Sequence, residues 1–269
     1  MAEPSGGDSG AVLAVEDVSV RFGGIVALDG VSFRIDRGAI CGLIGPNGAG
    51  KTTLFNVISR LYPCERGRIT FDGTPITALP RHRIAPVGIG RTFQNLALFR
   101  TMTVFDNVLV GTHCRTAGGF LAHALRLPRV VAEERAAAQR ARELIDLLSL
   151  GPVMTQRVAD LPFGTQKRIE LARALAAEPT LLLLDEPASG LNHEEVGELG
   201  RLIQQIRDAL RLTVLLVEHH MSLVMRVSDQ VVALNFGRKI AEGTPAQVQD
   251  DAQVRAAYLG TDEAAGQAA

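Results

Sequence analysis

The chain has 269 residues, enough to bury one large core or a core with an attached subdomain. Hydrophobic residues make up 46% and the formal net charge is −1, an ordinary balance that sets no electrostatic bias towards nucleic acid. Three cysteines, Cys41, Cys64 and Cys114, form no CxxC pair, which argues against a disulfide framework and against a zinc site.

In chain order, Met1 to Gly10 lacks the basic and apolar regions of a signal peptide and reads as a disordered tail. Two β-type runs follow, Leu13 to Val20 and Ile25 to Ile35, punctuated by turn signals at Gly23-Gly24 and Asp29-Gly30. A buried strand at Ala39 to Ile44 leads into a glycine-rich loop and a helix through about Arg60, and a further β run, Arg68 to Phe71, ends at Asp72-Gly73. From about Leu96 to Leu161 the character is helical. Val131 to Leu150 is rich in Ala, Glu and Arg, while Gly111 to Arg129 is irregular and reads as an inserted hairpin or short helices.

After Gly164 a helix is predicted to about Ala177, then a strand at Leu181 to Leu184. The helix predicted at Glu194 to Leu210 carries Val196, Leu199, Leu202, Ile203 and Ile206 at helical spacing, and strand Val214 to Val217 follows. Val231 to Leu234 and Arg238 to Ala241 flank Phe236-Gly237 as a hairpin, and residues 261–269 read as a loose tail. Strands alternating with helices predict a parallel sheet covered on both faces. The apolar runs are strand-length, far short of a bilayer span, so a cytoplasmic chain is expected whose membrane role, if any, comes through a partner.

The loop Gly45-Pro46-Asn47-Gly48-Ala49-Gly50-Lys51-Thr52 satisfies G-x-x-x-x-G-K-[ST] between an apolar strand and a helix, the context that the phosphate-binding motif demands. Gly48 and Gly50 let backbone N–H groups converge on phosphate oxygens where a Cβ would intrude. The helix beginning near Lys51 adds its positive dipole end. Lys51 is expected to reach the β- and γ-phosphates, and the Thr52 hydroxyl to coordinate Mg²⁺, which makes ATP with Mg²⁺ the expected ligand. The competing reading, a glycine-rich turn with a solvated lysine, is weak. With glycine at about 7% of residues, a chance match in such a chain is roughly one in a hundred.

Leu181-Leu182-Leu183-Leu184-Asp185-Glu186 is an apolar strand ending in two acids, which places carboxylates at the strand's C-terminal edge beside the phosphates. Asp185 is expected in the Mg²⁺ shell, and Glu186 to orient or deprotonate the attacking water. Alone, two acids after a strand are usually the solvated end of an element; the phosphate loop decides for function.

The phosphate loop, Gln94, Gly164, Asp185-Glu186 and His219 stand in the order and approximate spacing of an ABC transporter ATPase subunit, and the chain resembles that family from about Leu13 to Gly260. The resemblance implies an α/β fold: a P-loop NTPase with a RecA-like core, an antiparallel β subdomain and a helical subdomain at about 96–161. It implies that Gln94, in Arg91-Thr92-Phe93-Gln94, contacts Mg²⁺ or the lytic water and links to the transmembrane partner. His219 resembles the switch histidine that contacts the γ-phosphate; His220 stands where this family often has Asp and is the weaker candidate. Phe22 stands where an aromatic stacks on adenine, with a buried core Phe as the other reading. The nucleotide-binding set implied is Phe22, the loop Gly45 to Thr52, Thr53, Gly164 and Gln166.

Leu161-Pro162-Phe163-Gly164-Thr165-Gln166-Lys167 resembles the signature segment, which in this family serves the nucleotide of the opposite subunit. Pro162 replaces the usual serine, so either the composite site loses a hydroxyl contact or the backbone amides suffice. Thr165 stands where a Gln is usual, and Gln166 matches the second Gln that often follows. Ser189-Gly190-Leu191-Asn192 resembles the D-loop, with Asn192 where many relatives have Asp.

Arg21-Phe22-Gly23-Gly24, Arg91 to Gln94 followed by Leu98-Phe99, Glu218-His219-His220-Met221, and Glu242-Gly243-Thr244-Pro245 with Ala257-Tyr258-Leu259-Gly260 resemble the branched-chain amino acid importer subfamily. That resemblance implies a second ATPase subunit, two transmembrane permease subunits, an extracytoplasmic solute-binding protein acting indirectly, and a peripheral place on the cytoplasmic face of the inner membrane. ATPases for urea uptake or lipopolysaccharide export share parts of the pattern. A non-transport ABC ATPase is the rival from another class, but many of those carry two cassettes or a long coiled coil, which this chain lacks. A P-loop GTPase is opposed by the absence of an N-K-x-D motif.

Overall fold

The computed structural model describes residues 10–92, 96–115 and 127–258. Residues 1–9 and 259–269, which take in all of the predicted tails (1–10 and 261–269) except Gly10, residues 93–95 with Phe93 and Gln94, and most of the predicted irregular insertion (116–126) lie outside these residues.

Two sheets organise the chain. β1 (Ala11–Phe22) and β2 (Ile25–Asp36) form a long antiparallel hairpin, joined by β4 (Arg66–Phe71) and β5 (Thr74–Pro75) in the order β2-β1-β4-β5. The second sheet contains β3 (Ile40–Ile44), β6 (Ile89–Arg91), β7 (Leu181–Asp185), β8 (Thr213–Val217), β9 (Gln230–Asn235) and β10 (Arg238–Gly243). Its order is β10-β9-β3-β8-β7-β6, parallel except for β10, which pairs antiparallel with β9 as the hairpin predicted around Phe236-Gly237.

β3, β7 and β8 are buried at every residue, as expected of parallel strands covered on both faces. The strand period of two divides them between two cores. Leu182, Leu184, Val214 and Leu216 face one cluster with the helices; Leu181, Leu183, Leu215 and Val217 face the other, with β1, β2 and the first helix. Each buried leucine contributes about 1.5–3 kcal/mol of burial free energy. The second face is covered largely by the antiparallel sheet rather than by helices, because β1 and β2 turn Val15, Val18, Leu28 and Val31 inward against it.

The helices are α1 (Lys51–Ile58), α2 (Val104–Gly111), α3 (Pro128–Leu147), α4 (Phe163–Leu175), α5 (His193–Leu210), α6 (Met221–Val227) and α7 (Pro245–Asp250). α5 follows its apolar periodicity: Val196, Leu199, Ile203 and Ile206 are buried. α2, α4 and α3 pack together on one side through Val108, Ala141, Leu144, Ile145, Leu171 and Leu175. Residues 112–115, the described start of the irregular insertion, form a 3₁₀ turn. Among the described residues no helix is long and apolar enough to cross a membrane.

Candidate nucleotide site

Adjacent parallel strands bring their C-terminal ends together, so loops that are distant in sequence become neighbours. Register fixes which residues meet. Leu43 pairs with Val217, Asp185 with Val217, and Arg91 with Leu183. The phosphate loop, Asp185-Glu186, His219 and the approach to Gln94 therefore leave one edge of the sheet side by side.

The loop's conformation depends on glycine. Gly48 has φ +78° with open space where a Cβ would stand, and Gly50 has φ +101° with a Cβ site 2.7 Å from the Ala27 carbonyl oxygen. α1 starts with no side-chain cap and no acidic residue in its first turn, so its N-terminal N–H groups stay available for an anion. Lys51 is buried, and its Nζ donates to the carbonyls of Gly45 (2.6 Å) and Pro46 (3.0 Å). Burial lowers its pKa from the ordinary lysine value, against which the charge of Glu186 acts. A cleft of about 240 Å³ opens here, lined by Ile25, Val26 and Ala27, by Asn47 to Thr53, and by Glu186 and His219. Gly45 and Pro46 are not among its lining residues; their carbonyls hold Lys51.

Glu186 follows β7 with φ +48°, the left-handed region that is unfavourable for a non-glycine residue by roughly 1–2 kcal/mol. Its backbone N–H donates to Val217 (2.9 Å), which ties the end of β7 to β8. Its Oε1 lies 2.7 Å from His219 Nε2. A carboxylate held by an imidazole at the mouth of a phosphate cleft can accept a proton from water.

Asp185 is almost fully buried, and its Oδ2 accepts a hydrogen bond from Arg91 Nη2 at 2.8 Å. Burial raises its pKa from the ordinary carboxylate value; the Arg91 hydrogen bond and charge oppose that, and Glu186 adds to it. Its Oδ1 is buried and accepts no hydrogen bond among the described residues. A divalent cation fits this donor set: a carboxylate oxygen left without a partner, and the Thr52 hydroxyl exposed in the cleft. No cluster of three or more His, Cys, Asp or Glu among the described residues could hold a metal ion alone, so phosphate oxygens would complete its shell.

Glu218, the first residue of the Glu218-His219-His220-Met221 run, has a task that only the structure shows. Only 2% exposed, it accepts the Ala188 N–H at Oε1 (2.6 Å) and the N–H groups of His219 (3.0 Å) and His220 (3.4 Å) at Oε2. It thereby locks the segment after Glu186 to the segment carrying His219. His220 Nδ1 lies 3.2 Å from the same oxygen, so His220 serves Glu218 rather than the cleft. Glu218→Ala removes the acceptor of the buried Ala188 N–H and is expected to cost about 2–3 kcal/mol of stability, readable by urea unfolding. Adenosine-nucleotide binding is expected to survive while turnover drops, because the Glu186–His219 pair loses its mount.

Other predicted residues fall elsewhere. Phe22 is 44% exposed and stacks edge-on with Tyr62 at 5.1 Å, which removes the core reading, yet it is not among the residues lining the cleft. The cleft is lined by no residue of the segment 161–167. Pro162 caps α4 without a side-chain hydrogen bond, and a Cβ on Gly164 would approach Glu195 Oε1 at 3.0 Å. Gln166 Nε2 donates to the Leu161 carbonyl (2.8 Å), so its side chain shapes the turn in its own chain. Asn192 caps α5 in a capping box with Glu195, a local use the sequence shows as N-x-x-E. Gln94 lies outside the described residues.

Comparison with known proteins shows the family and the fold. A family described as ABC transporter matches residues 28–189, and one described as branched-chain amino acid ATP-binding cassette transporter matches residues 238–264. The chain is 41% identical over 249 residues to the high-affinity branched-chain amino acid transport ATP-binding protein BraF of Pseudomonas aeruginosa, covering 93% of this chain and 98% of that one. It is 39% identical to LivG, the protein of the same description from Escherichia coli, with the same coverage. Among solved structures, the ADP conformation of MJ1267, an ATP-binding cassette of an ABC transporter, superposes with a TM-score of 0.81 at 30% identity, covering 93% of this chain and 99% of that one.

Proposed function

This chain belongs to the ABC transporter family of ATP-binding cassettes and hydrolyses ATP, and on that premise we propose that it energises an importer of branched-chain amino acids. The observation that carries the substrate reading is the match of residues 238–264 to the branched-chain family, in a chain similar to BraF along nearly its whole length.

In the proposed cycle, the backbone N–H groups of Gly45 and of Asn47 to Thr53, together with the Lys51 ammonium, grip the ATP phosphates, with Pro46 shaping the turn and Phe22 near the base. Thr52, Asp185 and Gln94 would hold Mg²⁺, which would supply charge neutralisation at the phosphate oxygens. Glu186 takes a proton from water as the water oxygen attacks the γ-phosphorus in line, and the bond to the β–γ bridging oxygen breaks, leaving ADP and phosphate. His219 positions the Glu186 carboxylate and reaches towards the γ-phosphate. Gly164 and Gln166 belong to a segment that faces the nucleotide of a second ATPase subunit, so each site is completed by a partner chain. ATP supplies the preference for the closed pair that any such switch requires.

The unit at about 96–161 would carry the closure to two permease subunits at the cytoplasmic face of the membrane. Exposed Phe99 and Val110 offer an apolar surface for that contact. An extracytoplasmic solute-binding protein would deliver the cargo; nucleic acid is not a partner.

Labelled leucine uptake in cells lacking this subunit tests the proposal. Uptake is expected to fall to background and to return with the wild-type chain but not with Glu186→Gln. Unchanged uptake in the deleted strain would overturn the amino-acid reading while leaving the ATPase intact.

A further inference from the structure

Two separate pieces of the chain supply the described part of the proposed metal site: Thr52 on α1 and Asp185 at the end of β7. Nothing in the phosphate loop itself fixes their mutual spacing. One side chain touches both of these elements from a third, β6. Arg91, the last residue of β6, is 10% exposed. It donates through Nη2 to Asp185 Oδ2 (2.8 Å) and through Nη1 to Asn56 Oδ1 (2.9 Å) and Ser59 Oγ (3.0 Å). Asn56 lies on α1 and Ser59 caps it, and the guanidinium carbon sits 5.7 Å from the centroid of Phe55 on the same helix.

We propose that Arg91 is a positioning residue that holds Asp185 in its metal-binding orientation and clamps β6, β7 and α1 at the spacing the metal site needs. By occupying Oδ2, the guanidinium leaves Oδ1 as the carboxylate oxygen without a partner. A planar fork is required because its two nitrogens serve opposite sides, one to β7 and one to α1, which a lysine ammonium on a single stem cannot reproduce. The same connection makes metal affinity follow the position of β6, because Arg91 belongs to that strand. Partners of this kind, one step behind the ligand, typically change metal affinity by about 10–100-fold.

The inference rests on Asp185 being a metal ligand, and the test separates the two ideas. The full chain and its variants are titrated with a fluorescent ADP analogue in EDTA, then with Mn²⁺ at saturating ADP, reading bound Mn²⁺ by electron paramagnetic resonance. Arg91→Gln is expected to weaken Mn²⁺ binding by about tenfold or more while metal-free ADP binding stays within about twofold. Arg91→Lys is expected to recover only part of the loss. Asn56→Ala, which spares the Asp185 contact, is the safeguard should Arg91→Gln fail to fold, and is expected to weaken Mn²⁺ by a smaller factor, about threefold. In an Asp185→Asn background, Arg91→Gln should add nothing further. Unchanged Mn²⁺ affinity in the Arg91 variants, or a parallel loss of metal-free ADP binding, overturns the inference. Wild-type Mn²⁺ affinity in Asp185→Asn alone overturns the metal reading instead.

Discussion

Glu186→Gln is expected to reduce steady-state ATP turnover by about 10²–10⁴-fold, the range that loss of a general base commands. The substitution keeps the side chain's shape and an oxygen acceptor towards His219, which lies 2.7 Å from the native carboxylate, and it leaves the backbone bond to Val217 in place. Nucleotide binding is therefore expected to persist, and ATP to remain bound between paired subunits instead of being released as ADP. Phosphate release together with the nucleotide retained after gel filtration reads both halves of the expectation. Turnover within a factor of about three of wild type would falsify the assignment of the base. His219→Ala is expected to lose less, because the imidazole holds the carboxylate and does not itself take the proton from water.

Lys51→Ala should weaken ATP binding by roughly 10–100-fold, since charge-assisted hydrogen bonds to phosphate contribute about 1.5–3 kcal/mol. Lys51 donates to two loop carbonyls and its ammonium is partly stripped of water. In the proposed cycle the ammonium would reach phosphate oxygens from the position where these two carbonyls hold it. Lys51→Arg is not expected to restore affinity, because the guanidinium is planar and too broad for a niche filled by a single point charge. Isothermal titration with ATP and Mg²⁺ measures the change, and far-UV circular dichroism checks that α1 and its surroundings persist. Equal affinity in Lys51→Ala and wild type would remove Lys51 from the phosphate cradle.

The elements legible in the sequence were those whose signal is local. Leu181 to Leu184 and Val214 to Val217 are continuous apolar runs, and each became a strand buried on both faces. The periodicity from Val196 to Ile206 placed α5 within one residue of its start. Short or two-sided elements escaped. β6 is three residues long and contains Gly90, which has neither the length nor the composition of a strand; it forms because β7 offers a parallel edge and Pro179 packs over the glycine. α6 has seven residues, too few for a period, and is held by Leu223, Val224 and Val227 against its neighbours. Asn192 shows the opposite lesson: the pattern N-x-x-E makes its cap legible locally, whereas the D-loop resemblance points to a partner contact instead.

For the site, sequence alone determined the phosphate loop and the Asp185-Glu186 pair, because a glycine-rich turn between strand and helix and two acids ending an apolar strand are written within a few residues. Tertiary structure decided how those pieces work together. Glu218 reaches Ala188 across 30 positions and Arg91 reaches Asp185 across 94, contacts that exist only because β8, β7 and β6 lie side by side. Strand order is set by how two cores pack on opposite faces of one sheet, a property of the whole chain. A local pattern can therefore specify which residues carry the chemistry, whereas their spacing, burial and partners follow from packing between segments far apart in sequence.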